Sequence, residues 1–266
     1  MLVQFPGLGI HLHINRIAFS LFGIDIYWYA IFIVLGIILA FIILKMQDGK
    51  FGIHFENILD LSIYLIPISF LSARLYYCIF SPSFLENPLQ FFNFRTGGLA
   101  IYGGVIGGVI TCFVYCKKKK IHFLDLCDLV VPCLALGQAI GRWGNFFNIE
   151  AYGTQTTLPW RMGIIENGIY KEVHPTFLYE SIATFCIFVI LMIKNKKRKF
   201  SGETTYLYLI LYSIVRFLIE GLRTDSLMFL NLRISQIVSI ILFVISCIML
   251  SKNKIKQKRK NQNEVK

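Results

Sequence analysis

The sequence predicts an all-α integral membrane protein: a bundle of seven transmembrane helices, N-terminus outside and C-terminus cytoplasmic, with a small extracytoplasmic β-hairpin. Three observations lead there. Hydrophobic residues make up 56% of the 266 and charged ones only 16%, against about 45–50% and about 25% in soluble domains. Crossing about 30 Å of hydrocarbon takes roughly 20 apolar residues, and runs close to that length recur along the whole chain. The cations behind the formal net charge of +12 gather on alternate linkers.

The elements follow in order as one polytopic domain. A first helix over about 20–45 is centred on 26–44, which holds no charge. The polar, glycine-containing stretch 5–16 ahead of it is not a short basic region before a cleavage site, so no cleavable leader is expected. The second helix, about 57–80, is apolar apart from Arg74. The Phe- and Pro-rich stretch 81–96 reads as an interfacial segment, where aromatic rings concentrate. The third helix, about 97–116, contains Gly97, Gly98, Gly103, Gly104, Gly107 and Gly108. Pairs of small residues four apart let a neighbouring helix, or a lipid, come close. The fourth, about 123–141, carries Asp125 and Asp128 near its start and is interrupted by Pro132 and Gly137. An extracytoplasmic loop over 142–175 comes next. In it, the strand-like runs 160–165 and 169–173 flank Glu166-Asn167-Gly168, and Asn-Gly between such runs signals a hairpin. The fifth helix, about 176–194, carries Glu180; the sixth, about 204–222, carries Arg216 and Glu220; the seventh, about 234–251, holds no charge in its apolar run. Residues 252–266 form a basic cytoplasmic tail.

Orientation comes from the linkers. Lys45 and Lys50, then Lys117 through Lys120, then Lys194, Lys196, Lys197, Arg198 and Lys199, and finally the tail all follow odd-numbered spans. The opposite side holds the sparser Arg16, Arg95, Arg142, Arg161, Lys171, Arg223 and Arg233. The positive-inside rule makes the basic side cytoplasmic. The basicity is therefore mostly topology, with anionic head groups as its natural contact, and no nucleic-acid partner is expected. The seven cysteines sit in or beside apolar spans, an odd set poorly suited to disulfides. Cys112 and Cys116 share a helix face without nearby His or carboxylate, so no metal site is expected.

An ionisable side chain inside a span costs from about 2.5 kcal/mol upward and faces a partner or a cavity. Tyr212, Arg216 and Glu220 recur every four residues on one face of the sixth helix, and Arg223 follows a turn later. Tyr179 and Glu180 lie one turn into the fifth helix, after His174-Pro175, and Arg142 stands where the fourth span ends. By the predicted topology most of this set lies near the outer leaflet. Interhelical ion pairs such as Arg216–Glu180, fixing only helix order, explain part of it. Arginines outnumber carboxylates, however, and the guanidinium suits bidentate phosphate recognition. The phosphate available at that depth belongs to a phospholipid. Two other readings use the same charges: a transporter whose pathway is lined by Glu180, Arg216 and Glu220, or a phospholipid-binding membrane protein without chemistry.

The run Gly141-Arg142-Trp143-Gly144-Asn145-Phe146-Phe147-Asn148-Ile149-Glu150-Ala151-Tyr152-Gly153 resembles the signature of prolipoprotein diacylglyceryl transferases, G-R-x-G-N-F-x-N-x-E-x-x-G, at every fixed position. The resemblance extends over nearly the whole chain. Gly97-Gly98-Leu99-Ala100-Ile101-Tyr102-Gly103-Gly104 is similar to the family's glycine-rich third helix. His174-Pro175-Thr176 with Tyr179-Glu180 is similar to a later helix start, and Arg216-Phe217-Leu218-Ile219-Glu220 with Arg223 to the penultimate helix.

The resemblance implies a seven-helix enzyme of the bacterial inner membrane, with its active site toward the outer leaflet. Such an enzyme moves the diacylglyceryl group of phosphatidylglycerol onto the lipobox cysteine in the signal-peptide region of an exported prolipoprotein. A thioether forms and glycerol phosphate leaves, the first step of lipoprotein maturation, without a cofactor or metal. It implies that Arg142 and Arg216 bind the phosphate, that Asn145, Asn148, Glu150 and Gly153 shape the site, and that Tyr29 and Tyr212 contribute. Gly98, Gly103, Gly104, Glu220 and Arg223 complete the implied substrate-binding set. Tyr102 stands where many members have a histidine cast as general base. Tyrosine, with a pKa near 10 against about 6.5, is the poorer base at neutral pH. Either Tyr102 only orients substrate or the base is not essential to the chemistry; the thiol proton goes to Tyr102, His174 or a product-side phosphate oxygen.

Overall fold

The computed structural model describes residues 1–81, 91–92, 98–166, 168–224, 228–229 and 232–264. Among these, seven α-helices carry most of the chain, with small antiparallel sheets between them: α1 (Trp28–Met46), α2 (Phe55–Ile79), α3 (Ile101–Lys119), α4 (Phe123–Asn148), α5 (Thr176–Lys196), α6 (Glu203–Leu222) and α7 (Ile234–Glu264). All but α3 are long and apolar enough to cross a membrane. Helix α3 ends in Lys117, Lys118 and Lys119, which shorten its apolar part. The chain divides into two compact units, residues 1–43 with 128–266, and residues 44–127.

In the first unit, β1 (Leu2–Phe5), β2 (Ile10–His13), β5 (Met162–Glu166) and β6 (Ile169–Val173) form an antiparallel sheet in the order β2-β1-β5-β6. The expected hairpin is its β5–β6 half, with Gly168 at φ +79° in the turn; Asn167 lies outside the described residues. Its inner face supplies Val3, Met162, Ile164 and Val173, which pack with Phe146 of α4 and Phe177 of α5 into one apolar cluster. The sheet therefore sits on the ends of the two helices that carry the candidate residues. The strands at 2–13 are not among the elements the sequence predicts. Four-residue strands broken by Pro6-Gly7 offer too little alternation to register.

A second hairpin, β3 (Ile17–Leu21) and β4 (Ile24–Tyr27), corrects the start of the first helix. Residues 20–27, assigned to that span, are strand and turn, and the helix begins at Trp28. Phe22 and Gly23 both have positive φ, +50° and +79°, the conformation a two-residue hairpin turn demands. Apolar content alone could not separate this hairpin from the helix it feeds.

Helix α4 also departs from expectation. It runs unbroken through Pro132 and continues to Asn148, so residues 142–148, assigned to the loop, form its last turns. Proline has no N–H for the carbonyl four residues back, here that of Asp128, and Asn195 Nδ2 supplies the missing donor at 3.0 Å. The Asp128 carboxylate is fully buried and accepts from Arg198 Nη1 (2.9 Å), Gly202 N (2.7 Å), Thr205 N (2.7 Å) and Thr205 Oγ1 (2.6 Å), capping the start of α6. Val131, Ala135, Ile187, Leu191 and Tyr208 fill the seam of α4, α5 and α6, and Ser181 Oγ donates to Ala139 O at 2.8 Å. At the far end α7 extends beyond the expected span, so most of the basic tail is helical.

In the second unit α2 packs on α3 through the glycine stripe. Gly103 and Gly107 lie against Ser72, and Gly104 and Gly108 against Ser69. Gly98 has φ +82°, and a side chain there would meet Tyr77 and the Arg74 guanidinium. Arg74 is buried, donating to Gly98 O (3.0 Å) and Phe91 O (3.2 Å). Helix α3 begins at Ile101 because Ala100 before it is extended (φ −96°, ψ 120°), with its N donating to Ala73 O at 3.0 Å. Gly97 and most of the expected interfacial stretch 81–96 lie outside the described residues.

Candidate active site

Three helices of the first unit bring the charges together. Arg142, in the penultimate turn of α4, has Nη2 2.5 Å from Glu180 Oε1 on α5. Arg216 of α6 has Nη1 3.5 Å from the other oxygen of Glu180, and Nη2 2.7 Å from Glu220 Oε2 one turn along its own helix. Both carboxylates are buried, at 2% and 1% exposure, while the two arginine side chains keep 22% and 19%. Glu180 thus holds two guanidiniums, both of them partly exposed. Unpaired, charges at this depth would be costly; alternating in sign, they support each other. Tyr212 lies among Arg142, Arg216 and Glu180, its ring stacked on Tyr208 at 5.6 Å.

The end of α4 extends the same chain of bonds. Arg142 Nη1 donates to Asn145 Oδ1 at 3.1 Å, and Asn145 Nδ2 donates to Glu150 Oε1 at 2.7 Å. Asn148 Nδ2 reaches the same carboxylate oxygen at 3.2 Å. The signature therefore reads physically as a helix end folding back on itself, with Ile149 and Ala151 at φ +51° and +56° making the reversal. Gly153 comes next. Its N donates to His174 O (3.0 Å), it bridges to Arg223, and Thr154 N donates to Leu222 O (2.7 Å). An added Cβ at Gly153 would lie 2.8 Å from His174 Cβ and 3.0 Å from Leu222 O. The glycine lets the returning chain pass between α5 and the end of α6. Thr176 Oγ1 donates to Ala151 O and closes the passage.

His174 is half-buried with Nδ1 3.3 Å from the Tyr179 hydroxyl, which also accepts from Trp160 Nε1 at 2.7 Å. Burial holds the imidazole below its usual 6.5, so it is neutral at neutral pH. The Tyr179 hydroxyl keeps both a proton to give and a lone pair to accept with, so this contact suits either neutral tautomer of His174. Tyr29, exposed near the start of α1, lays its ring against Gly144 of α4. Arg16 Nη2 donates to Asn148 O at 3.0 Å, placing a cation at the C-terminal end of α4, where the helix dipole favours it.

Arg142, Asn145, Asn148, Glu150, Tyr212, Arg216 and Glu220 are thus joined in one network, with Gly153, His174 and Arg223 in the strand-like passage beside it and Tyr29 on Gly144. Tyr102, Gly98, Gly103 and Gly104 belong to residues 44–127; there Tyr102 is exposed in the first turn of α3, its ring 6.5 Å from Tyr76. Sequence reasoning takes Glu180 as a salt-bridge partner of Arg216 and misses its second arginine. A carboxylate inside a span, next to a tyrosine, is the available signal. Among the described residues no group of three or more His, Cys, Asp or Glu side chains is placed to hold a metal ion.

The sequence model of prolipoprotein diacylglyceryl transferases matches residues 16–252. A phosphatidylglycerol–prolipoprotein diacylglyceryl transferase from Finegoldia magna is 50% identical over 243 residues, covering 90% of this chain and 96% of that protein. Proteins of the same name from Clostridioides difficile and Clostridium novyi are 49% and 45% identical, covering 85% and 92% of this chain and 90% and 98% of theirs.

Proposed function

The chain belongs to the prolipoprotein diacylglyceryl transferase family, and we propose that it transfers the diacylglyceryl group of phosphatidylglycerol to a prolipoprotein. The observation that carries this reading is Glu180 shared between Arg142 and Arg216: a preorganised pair of guanidiniums with N–H groups to spare.

The acceptor is the lipobox cysteine of an exported prolipoprotein. Its sulfur attacks the glycerol carbon that bears the phosphate; an S–C bond forms, the C–O bond breaks, and glycerol phosphate departs. Negative charge grows on the departing phosphate, and fixed cations in a water-poor site stabilise it far better than water does. Arg142 and Arg216 supply those cations. Glu180 and Glu220 fix their planes, so little reorganisation is needed as the charge develops. Asn145, with its carbonyl on Arg142 and its amide on Glu150, keeps the signature end of α4 in register. The thiol proton passes to the departing phosphate, so no protein base is required. Tyr102 orients the ester, and His174 is neutral.

All seven helices span the membrane, with the N-terminus outside and the network toward the outer leaflet of the cytoplasmic membrane. Ile101 to Cys116 gives about 24 Å of apolar helix, and lysine stems reach the interface from its end. Were α3 not to cross, every later linker would change sides. The lysines of 194–199 and the tail would then lie outside, against the positive-inside rule.

The experiment is reconstitution. Purified protein in phosphatidylglycerol vesicles, given a lipobox peptide, converts it to a species heavier by one diacylglyceryl unit. An unmodified peptide, under conditions where a related transferase acts, overturns the reading. Lipid movement without glycerol phosphate release would favour transport or simple lipid binding instead.

A further inference from the structure

The β3–β4 hairpin has a surface that the transferase chemistry does not use. Phe22 at its tip is 95% exposed, and beside it Leu21, Ile24 and Phe19 are 53%, 67% and 52% exposed. The register pairs Phe19 with Ile26 and Leu21 with Ile24, so these four occupy one face. Ser20 and Asp25 pair on the other face, where the hydroxyl donates to the carboxylate at 2.5 Å. The result is an amphipathic hairpin whose apolar face and tip have no protein cover among the described residues.

We propose that this hairpin is seated in the lipid bilayer at the boundary between head groups and acyl chains, and that its seat governs uptake of the diacyl lipid. Three observations commit it to lipid. It runs without a break into α1, one of the helices able to span, and the junction is Tyr27-Trp28-Tyr29, the residue types that settle at the membrane interface. A two-stranded hairpin leaves backbone N–H and C=O groups open along both edges, which excludes the hydrocarbon centre and sets the depth at about 5–10 Å below the surface. Its base is fixed to the signature helix: Trp28 N donates to Arg16 O at 3.1 Å, Arg16 Nη2 donates to Asn148 O at 3.0 Å, and Trp28 stacks on Phe147 at 5.0 Å. The base of the hairpin therefore lies beside the end of α4, and its apolar face leads from Phe22 toward that point.

This inference rests on the membrane-enzyme reading but is tested apart from it. Phe22→Trp is reconstituted in vesicles of phosphatidylglycerol with phosphatidylcholine brominated along its chains. The added fluorescence is taken as the difference from the unaltered protein, which cancels Trp28, Trp143 and Trp160. The added emission is expected to be blue-shifted, quenched by brominated chains and shielded from aqueous iodide. Quenching by iodide without quenching by bromine, or shielding from both by covering protein, overturns the proposal. In the same vesicles Phe22→Asp is expected to raise the phosphatidylglycerol concentration for half-maximal transfer several-fold while keeping the maximal rate; an unchanged value overturns the uptake role. Transfer by a Phe22→Trp protein whose introduced indole is exposed to iodide would sink the hairpin alone. An introduced indole seated in lipid, in a protein without transfer, would sink the enzymatic reading alone.

Discussion

Glu180→Gln isolates the feature on which the mechanism depends. It is nearly isosteric and keeps one carbonyl acceptor, but removes the charge that Arg142 and Arg216 share at 2.5 and 3.5 Å. At an effective dielectric of about 20, opposite unit charges 3.5 Å apart attract by about 5 kcal/mol, part of which offsets the desolvation of burying them. Removing one partner of a buried pair costs about 3–5 kcal/mol, and the retained carbonyl puts Glu180→Gln near the lower end. The two guanidiniums, no longer held by one carboxylate, repel each other and lose their common orientation. Misplacement by about 1 Å costs about 10²-fold in rate, or about 2.7 kcal/mol of barrier. Ground-state attraction for an anionic lipid should not fall, because the site has become more positive. The expected result is kcat lowered about 10²-fold with KM for phosphatidylglycerol unchanged or smaller, read from glycerol phosphate release over a range of lipid fractions. A variant with wild-type kcat, or with only a raised KM, would refute the role given to Glu180.

Gly153→Ala should lower thermal stability by about 1–3 kcal/mol, the usual range for overpacking, because the new Cβ meets His174 and Leu222 O; a melting temperature equal to wild type contradicts the close passage. Tyr102→Phe should retain transfer within about tenfold, whereas loss of a general base costs about 10²–10⁴; a thousandfold loss would make the hydroxyl part of the proton path. In the β2-β1-β5-β6 sheet, Lys171 and then Tyr152 hold the Glu166 carboxyl below its usual 4.5. A carboxyl lowered in the folded state stabilises above its unfolded value and loses that contribution as pH falls through the folded one. Lys171→Met should therefore be less stable than wild type above pH 4.5, with the gap closing below it; a gap independent of pH would exclude the pairing.

What the residues disclosed depended on how far each signal reached along the chain. The uncharged core of α1 marked a span because hydrophobicity acts over a whole element. The β5–β6 hairpin was visible through one dipeptide with turn chemistry. By contrast, the strands at 2–13 exist because β1 pairs with β5, more than 150 residues away, and no local pattern announces such a partner. The end of α4 was misplaced at Arg142 because its glycines weaken helical propensity; the Tyr29 ring packed against Gly144 shows what they accommodate. Arg142, Asn145 and Glu150 stood out through the motif, and the structure links them by hydrogen bonds. Their order, from Glu150 through Asn145 and Arg142 to Glu180 and Arg216, needed the geometry of three helices.

The most direct test of the central claim follows the lipid phosphate and the peptide sulfur in one reaction. Phosphatidylglycerol labelled in its head-group phosphate is supplied in vesicles with a lipobox peptide, and initial rates of thioether formation and of labelled glycerol phosphate release are measured together. The account predicts equal rates for the wild-type protein and loss of both for Arg142→Ala and Arg216→Ala at normal protein yield. Thioether formation that persists in either variant, or release of phosphate unmatched by thioether, would contradict it.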